Sequence, residues 1–287
     1  MAHIFIALEN PRSMLGYNKK VEKIDNYPTN FTKPRFSFEP EQDKSRGARE
    51  RKAKQREQKY AARQAFLKEK GQDPFSIDET RAKDREIALA FCKANLSARM
   101  AQAGSLVTLM KTMIWYKEQE NSIFHTAVFL GHGNTDIMAV GTGPARFEDE
   151  EAREIFNVNK REITVANPDI WSLYFAEAAN RGCFMADTDG RLHIFLLGCL
   201  TGAEEGEGSV LDILASKLNS VLKIPIAAYG PTVSIDSNDT QNILDKLAEI
   251  KRDGPKAGNW AIGDGSEDDD KYLRVKCAGR PVAVKAS

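Results

Sequence analysis

Hydrophobic periodicity changes several times along the chain, and the changes mark its elements. Ile4-Phe5-Ile6-Ala7-Leu8 is a continuous apolar run that reads as a first strand. Residues 10 to 43 mix Pro, Asn, Lys and isolated aromatics without a sustained period, which predicts an irregular connection. From Ser45 to Lys70 helix formers dominate, but the apolar positions make only a thin stripe, so any helix there faces solvent or is disordered. Between about residues 80 and 118, Ile87, Leu89, Phe91, Leu96, Met100, Leu109 and Met113 predict one long helix, bent or split near Gly104.

The period then shortens. Ile123 to Leu130 and Leu192 to Leu197 are continuous β-favouring runs, the mark of strands buried on both faces. Around them the pattern predicts a short strand at 137–140 and helices at 148–156 and 168–181. An amphipathic helix over 209–222, a strand over 224–229, a helix over 240–251 and a strand over 272–277 follow. Strands that alternate with helices predict an α/β core with a mostly parallel sheet.

Composition narrows the class. Apolar residues make up 41% of the 287 positions, enough for a sizeable core, and no run approaches the ~18 apolar residues of a membrane span. The apolar opening has no basic residues before it and reads as a strand, not a signal peptide. Cys92, Cys183, Cys199 and Cys277 are scattered, matching neither a zinc spacing nor a disulfide framework, so free thiols in a reducing, cytoplasmic setting are expected, with delivery by a non-classical route left open.

Formal charge balances at 41 basic and 41 acidic residues, but unevenly. Lys44 to Lys70 holds eleven Lys and Arg against three Glu. Its few aromatics and interleaved Glu and Gln disfavour a nucleic-acid partner. The acidic cluster Asp264, Glu267, Asp268, Asp269 and Asp270 lacks the spacing of a calcium loop, and there is no phosphate loop or dinucleotide fingerprint. No cofactor, metal or membrane partner is expected.

Two strands end alike, in Leu130-Gly131-His132-Gly133 and in Leu197-Gly198-Cys199-Leu200. Ligands of parallel sheets bind outside the carboxyl ends of strands, so His132 and Cys199 can face each other across one crevice. A thiol becomes a strong nucleophile as a thiolate, and an imidazole can take its proton. The N–H groups of Gly133 and Cys199 can receive an oxyanion. Every histidine, His3, His125, His132 and His193, precedes Cys199, so with Cys199 as nucleophile and a histidine as base the nucleophile-first order of papain-like and α/β-hydrolase triads is excluded.

A strand ending in His132-Gly133, followed downstream by an apolar strand ending in Cys199, resembles the caspase-like cysteine peptidases, the group of caspases, separase, clostripain, gingipains and CHAT-type enzymes. The resemblance covers about residues 120 to 235. It implies an α/β three-layer sandwich in which His132 is the general base, Cys199 the nucleophile and Gly133 an oxyanion donor. It leaves open whether the family's first strand is Ala2 to Leu8, with a very long insertion, or is absent.

The expected organisation is an N-terminal extension, 1–118, carrying the basic segment 44–70 and the long helix 80–118, followed by a caspase-like domain, 119–287. The expected function is a cysteine endopeptidase acting on protein or peptide substrates. Carboxylates at Asp136, Glu204, Glu205 and Asp212 could hold an Arg or Lys side chain beside the cut, although a solvated acidic loop is the plainer reading of 203–208. Cleavage within 44–70, or a regulatory protein bound to the N-terminal extension, would control activity. The alternative is a catalytically inactive peptidase-like scaffold serving as an interaction module. His125 and His193 lie inside apolar strands and read as core residues, as do Cys92 and Cys183.

Overall fold

The central strands bury both faces, which is why their sequences are continuous apolar runs and not alternating ones. The computed structural model describes residues 2–9, 79–102, 105–140, 162–166, 168–203, 208–262 and 271–281. The basic segment 44–70, the helix expected at 148–156 and the acidic cluster at 264–270 lie outside these residues, as does Gly104.

Seven strands form one sheet: β1 (Ile4–Leu8), β2 (Ala98–Gln102), β3 (Thr126–Leu130), β6 (Leu192–Leu197), β7 (Ile226–Pro231), β8 (Asn259–Ala261) and β9 (Tyr272–Ala278). Their order across the sheet is β2-β1-β3-β6-β7-β9-β8. Pairing is parallel from β2 through β7 and antiparallel at β7–β9 and β8–β9. A separate two-stranded ribbon joins β4 (Ile137–Ala139) to β5 (Glu162–Thr164).

Alternate residues of each strand feed two apolar clusters. Phe5, Ala127, Phe129, Ile194, Leu196 and Ala228 pack on one face with α2 (Leu106–Glu120), α3 (Pro168–Asn180) and α4 (Val210–Leu222). Ile6, Val128, Leu130, Phe195, Leu197 and Tyr229 pack on the other with α1 (Glu79–Ala94), α5 (Ser237–Asp245) and α6 (Leu247–Ala257). The fold is therefore α/β with a mostly parallel sheet, and helices on both faces are compatible with a three-layer sandwich. No helix among the described residues is long and apolar enough to cross a membrane.

Two expectations are corrected. The single helix over 80–118 is two helices separated by a strand, Ala98–Gln102, which pairs in parallel with β1 from Ile4↔Ala98 to Leu8↔Gln102. Its five residues are mostly small or apolar, so helical and strand periods look alike over so short a window, and the open edge of β1 decides the outcome. The helix that follows begins where the Ser105 side chain accepts a hydrogen bond from the Thr108 N–H.

The boundary at 118/119 also falls. β1 lies inside the sheet, between β2 and β3, with Leu8 opposite Leu130. Residues assigned to an N-terminal extension thus complete the sheet of the expected second domain.

Candidate functional site

The geometry of the site begins with register. β3 and β6 are adjacent and parallel, with Leu130 opposite Leu197, and the Gly131 N–H donates to the Leu197 carbonyl at 3.4 Å. His132 and Cys199 each stand two residues beyond that last pair, so the two loops leave the sheet side by side.

Glycines let these loops touch. A Cβ placed on Gly198 would lie 3.0 Å from both the Cα and the N of Gly133, and one on Gly133 would lie 3.1 Å from the Gly198 Cα. Only residues without side chains permit this backbone approach. It brings His132-Gly133 against Gly198-Cys199.

The loop bearing His132 is a braced turn. The Asn134 side chain accepts from the N–H groups of Asp136 and Ile137, both at 2.9 Å, and the Asn134 N–H returns to the Ile137 carbonyl at 2.9 Å. The His132 carbonyl accepts from the Ala139 N–H at 2.8 Å, while its N–H donates to Glu9 Oε2 at 2.7 Å. The Val210 N–H, in the first turn of α4, donates to the Thr135 carbonyl at 2.6 Å and ties the turn to the segment after Cys199.

The Cys199 loop is held as firmly. Thr201 Oγ1 donates to the Leu196 carbonyl at 2.7 Å, and the Gly202 N–H donates to the Pro231 carbonyl at 2.8 Å. Leu200 adopts φ 61°, unusual for a non-glycine residue, with its N–H donating to the Val233 carbonyl at 3.3 Å. Cys199 is half-buried, and its Sγ lies 3.8 Å from the Ile235 carbonyl.

The carboxylates expected at the site divide three ways. Asp136 is exposed at the tip of the His132 turn. Glu204 and Glu205 lie outside the described residues. Asp212 is engaged: two Arg274 nitrogens grip its oxygens at 2.9 Å each, Lys276 Nζ stands at 3.0 Å, and Ser209 donates from both its N–H, at 3.1 Å, and its hydroxyl, at 3.0 Å. Burial alone would raise this carboxyl, but the hydrogen bonds from Arg274 and Lys276 override it and hold the group well below the usual carboxylate range. It caps α4 and anchors β9.

The other cysteines lie elsewhere. Burial pushes the thiols of Cys92 and Cys183 up to about 12, and Cys183 sits at the opening of β3, where its carbonyl accepts from the Phe124 N–H. Cys277 is exposed on β9.

Three histidines gather at the end of the sheet opposite Cys199, where the parallel strands begin. His3 stacks on His125 with ring centroids 5.2 Å apart. His125 Nδ1 lies 3.3 Å from Asp187 Oδ2, which Lys251 Nζ reaches at 2.6 Å. His193 bridges the Tyr229 hydroxyl, at 2.8 Å, and Asp189 Oδ1, at 3.1 Å. Their placement leaves His132 as the histidine on the same edge as Cys199.

Sequence reasoning missed Glu9 and this histidine cluster. The signal for Glu9 was an acid directly after a strand-forming run, but its meaning needed the pairing of β1 with β3. Among the described residues no group of three or more His, Cys, Asp or Glu side chains is arranged to hold a metal ion. Comparisons with family models, with curated proteins and with solved structures give no match for this chain.

Proposed function

We propose that the chain is a caspase-like cysteine endopeptidase in which His132 and Cys199 form the catalytic dyad. The observation that carries this reading is the backbone contact between Gly133 and Gly198, which sets the two loops together at the carboxyl ends of adjacent parallel strands. The strand order, with β1 completing the sheet beside the His132 strand, supports the same reading.

The reaction is acyl transfer. Cys199 gives its proton to His132, and the thiolate attacks the carbonyl carbon of the scissile peptide. The resulting oxyanion is received by the N–H groups of Gly133 and Cys199, a kind of contact worth ~10²–10³-fold in rate per donor. The imidazolium passes its proton to the leaving amine as the C–N bond breaks, leaving a thioester. His132 then takes a proton from water, the hydroxide attacks the thioester, and the C–S bond breaks to return the thiolate.

A preference for Arg or Lys beside the cut would draw on Asp136, Glu204 and Glu205. Asp212 drops out of this set because Arg274 and Lys276 already neutralise it. Control through cleavage within 44–70, or through a protein bound to the N-terminal residues, and a cytoplasmic setting complete the proposal. The second reading, an inactive interaction scaffold, draws on the Cys199 thiol facing the Ile235 carbonyl.

Cleavage of a diverse peptide library by the wild type and by Cys199→Ala, read by mass spectrometry, decides between them. Cuts that vanish in the variant establish the nucleophile and its preferred flanking residue. Cuts that persist remove Cys199 from the mechanism, and no cuts by either protein favour the scaffold.

A further inference from the structure

Glu9 follows directly on the apolar run of β1, and the parallel register that sets Leu8 opposite Leu130 brings it beside the His132 loop. Its N–H donates to the Leu130 carbonyl at 2.8 Å, so its backbone continues the strand pairing by one step. The residue is 7% exposed. Its carboxylate passes over Gly131, where a Cβ would stand only 3.1 Å from Oε2, and accepts the His132 N–H at 2.7 Å.

Resting on the reading of His132 as the base, we propose that Glu9 is a positioning residue that orients His132 toward Cys199 through the Gly131–His132 peptide. The two peptide units that flank the His132 Cα are each held, the preceding one through its N–H by the Glu9 carboxylate and the following one through the His132 carbonyl by the Ala139 N–H at 2.8 Å. Burying a carboxylate is costly unless its hydrogen bonds are strong, and a charge-assisted bond from a backbone N–H in a sheltered site is of the strong kind. The benefit is angular. The imidazole swings from a Cα whose preceding peptide plane is fixed by a residue that follows β1, not by the strand that carries the histidine. Glu9 touches neither substrate nor thiol in this role.

The test compares full-length wild type with Glu9→Ala, Glu9→Gln and His132→Ala. Two rates are read: alkylation of Cys199 by iodoacetamide, and kcat with KM for a cleaved peptide. A misplaced catalytic group costs up to about a hundredfold. Glu9→Ala is expected to lower the alkylation rate and kcat about 10- to 100-fold with little change in KM. Glu9→Gln, whose amide oxygen still accepts the His132 N–H, is expected to recover most of the loss.

Wild-type rates in Glu9→Ala, or equal losses in Ala and Gln variants that track their melting temperatures, overturn the proposal. If Glu9→Ala does not fold, Glu9→Asp takes its place, one methylene shorter, and is expected to lose rate while Glu9→Gln keeps it; equal rates in these two overturn the proposal. His132→Ala separates the levels. If its rates equal the wild type, the dyad itself fails and the role of Glu9 goes with it. If it abolishes them while Glu9→Ala keeps wild-type rates, the Glu9 proposal alone is lost.

Discussion

Gly198 and Gly133 meet backbone to backbone, so closely that a methyl group on Gly198 would press on two main-chain atoms of Gly133 at 3.0 Å. Neither loop has slack to yield, since Thr201 pins one and Asn134 braces the other. Gly198→Ala is expected to destabilise the protein by about 1–3 kcal/mol, measured by urea denaturation. Activity dependent on Cys199 is expected to fall further than stability alone explains.

The four thiols should separate into two classes. Cys92 and Cys183 are buried, with thiols raised to about 12, whereas Cys199 is half-buried and Cys277 is an exposed residue whose thiol partial burial also raises, so that accessibility and not acidity separates it from the buried pair. Reaction with a chromogenic disulfide at neutral pH is expected to label Cys199 and Cys277 in the native state, and Cys92 and Cys183 only after unfolding. Peptide mapping checks the assignment, and early labelling of Cys183 would contradict its burial.

Arg274 joins β9 to the start of α4 through its two hydrogen bonds to Asp212. Arg274→Ala leaves Lys276 as the nearest cation and is expected to cost about 2 kcal/mol. The pH dependence has a definite sign. A carboxyl held low in the folded state stabilises above its unfolded value of 3.8, and this contribution disappears as the pH falls through the lower folded value. Denaturation curves for wild type and variant should therefore stand apart at neutral pH and converge in strong acid.

His125 has the same sign at a higher pH, for a different physical cause. Burial lowers its imidazole from 6.5 to about 4, Asp187 pulls upward, and Lys251, His3 and His193 add to the depression. The unfolded chain binds a proton at this residue between these values and the folded protein does not, so stability is expected to decline as the pH drops from 6.5 to about 4. His125→Gln should flatten this slope in melting experiments across the same interval. An unchanged slope would place the titration elsewhere.

Much of the core could be read from short-range pattern because its strands are buried on both faces. Ile123 to Leu130 and Leu192 to Leu197 admit few other readings, and the helix over 209–222 carries its own cap in Ser209 and Asp212. Ala98 to Gln102 could not be read this way. Its residues suit a helix face as well as a strand, and only the unpaired edge of β1 selects the strand.

By itself the sequence determined the alternation of strands and helices and the matching Gly-His-Gly and Gly-Cys endings, for these depend on periodicity and spacing along the chain. It also showed that two such endings follow apolar strands. Only the tertiary structure decided that those strands are neighbours in register, that Glu9 lies behind His132, and that Asp212 belongs to Arg274. The reason is separation: Glu9 and His132 are 123 positions apart, and Asp212 and Arg274 are 62. No local preference encodes such a meeting; it follows from how the sheet orders its strands.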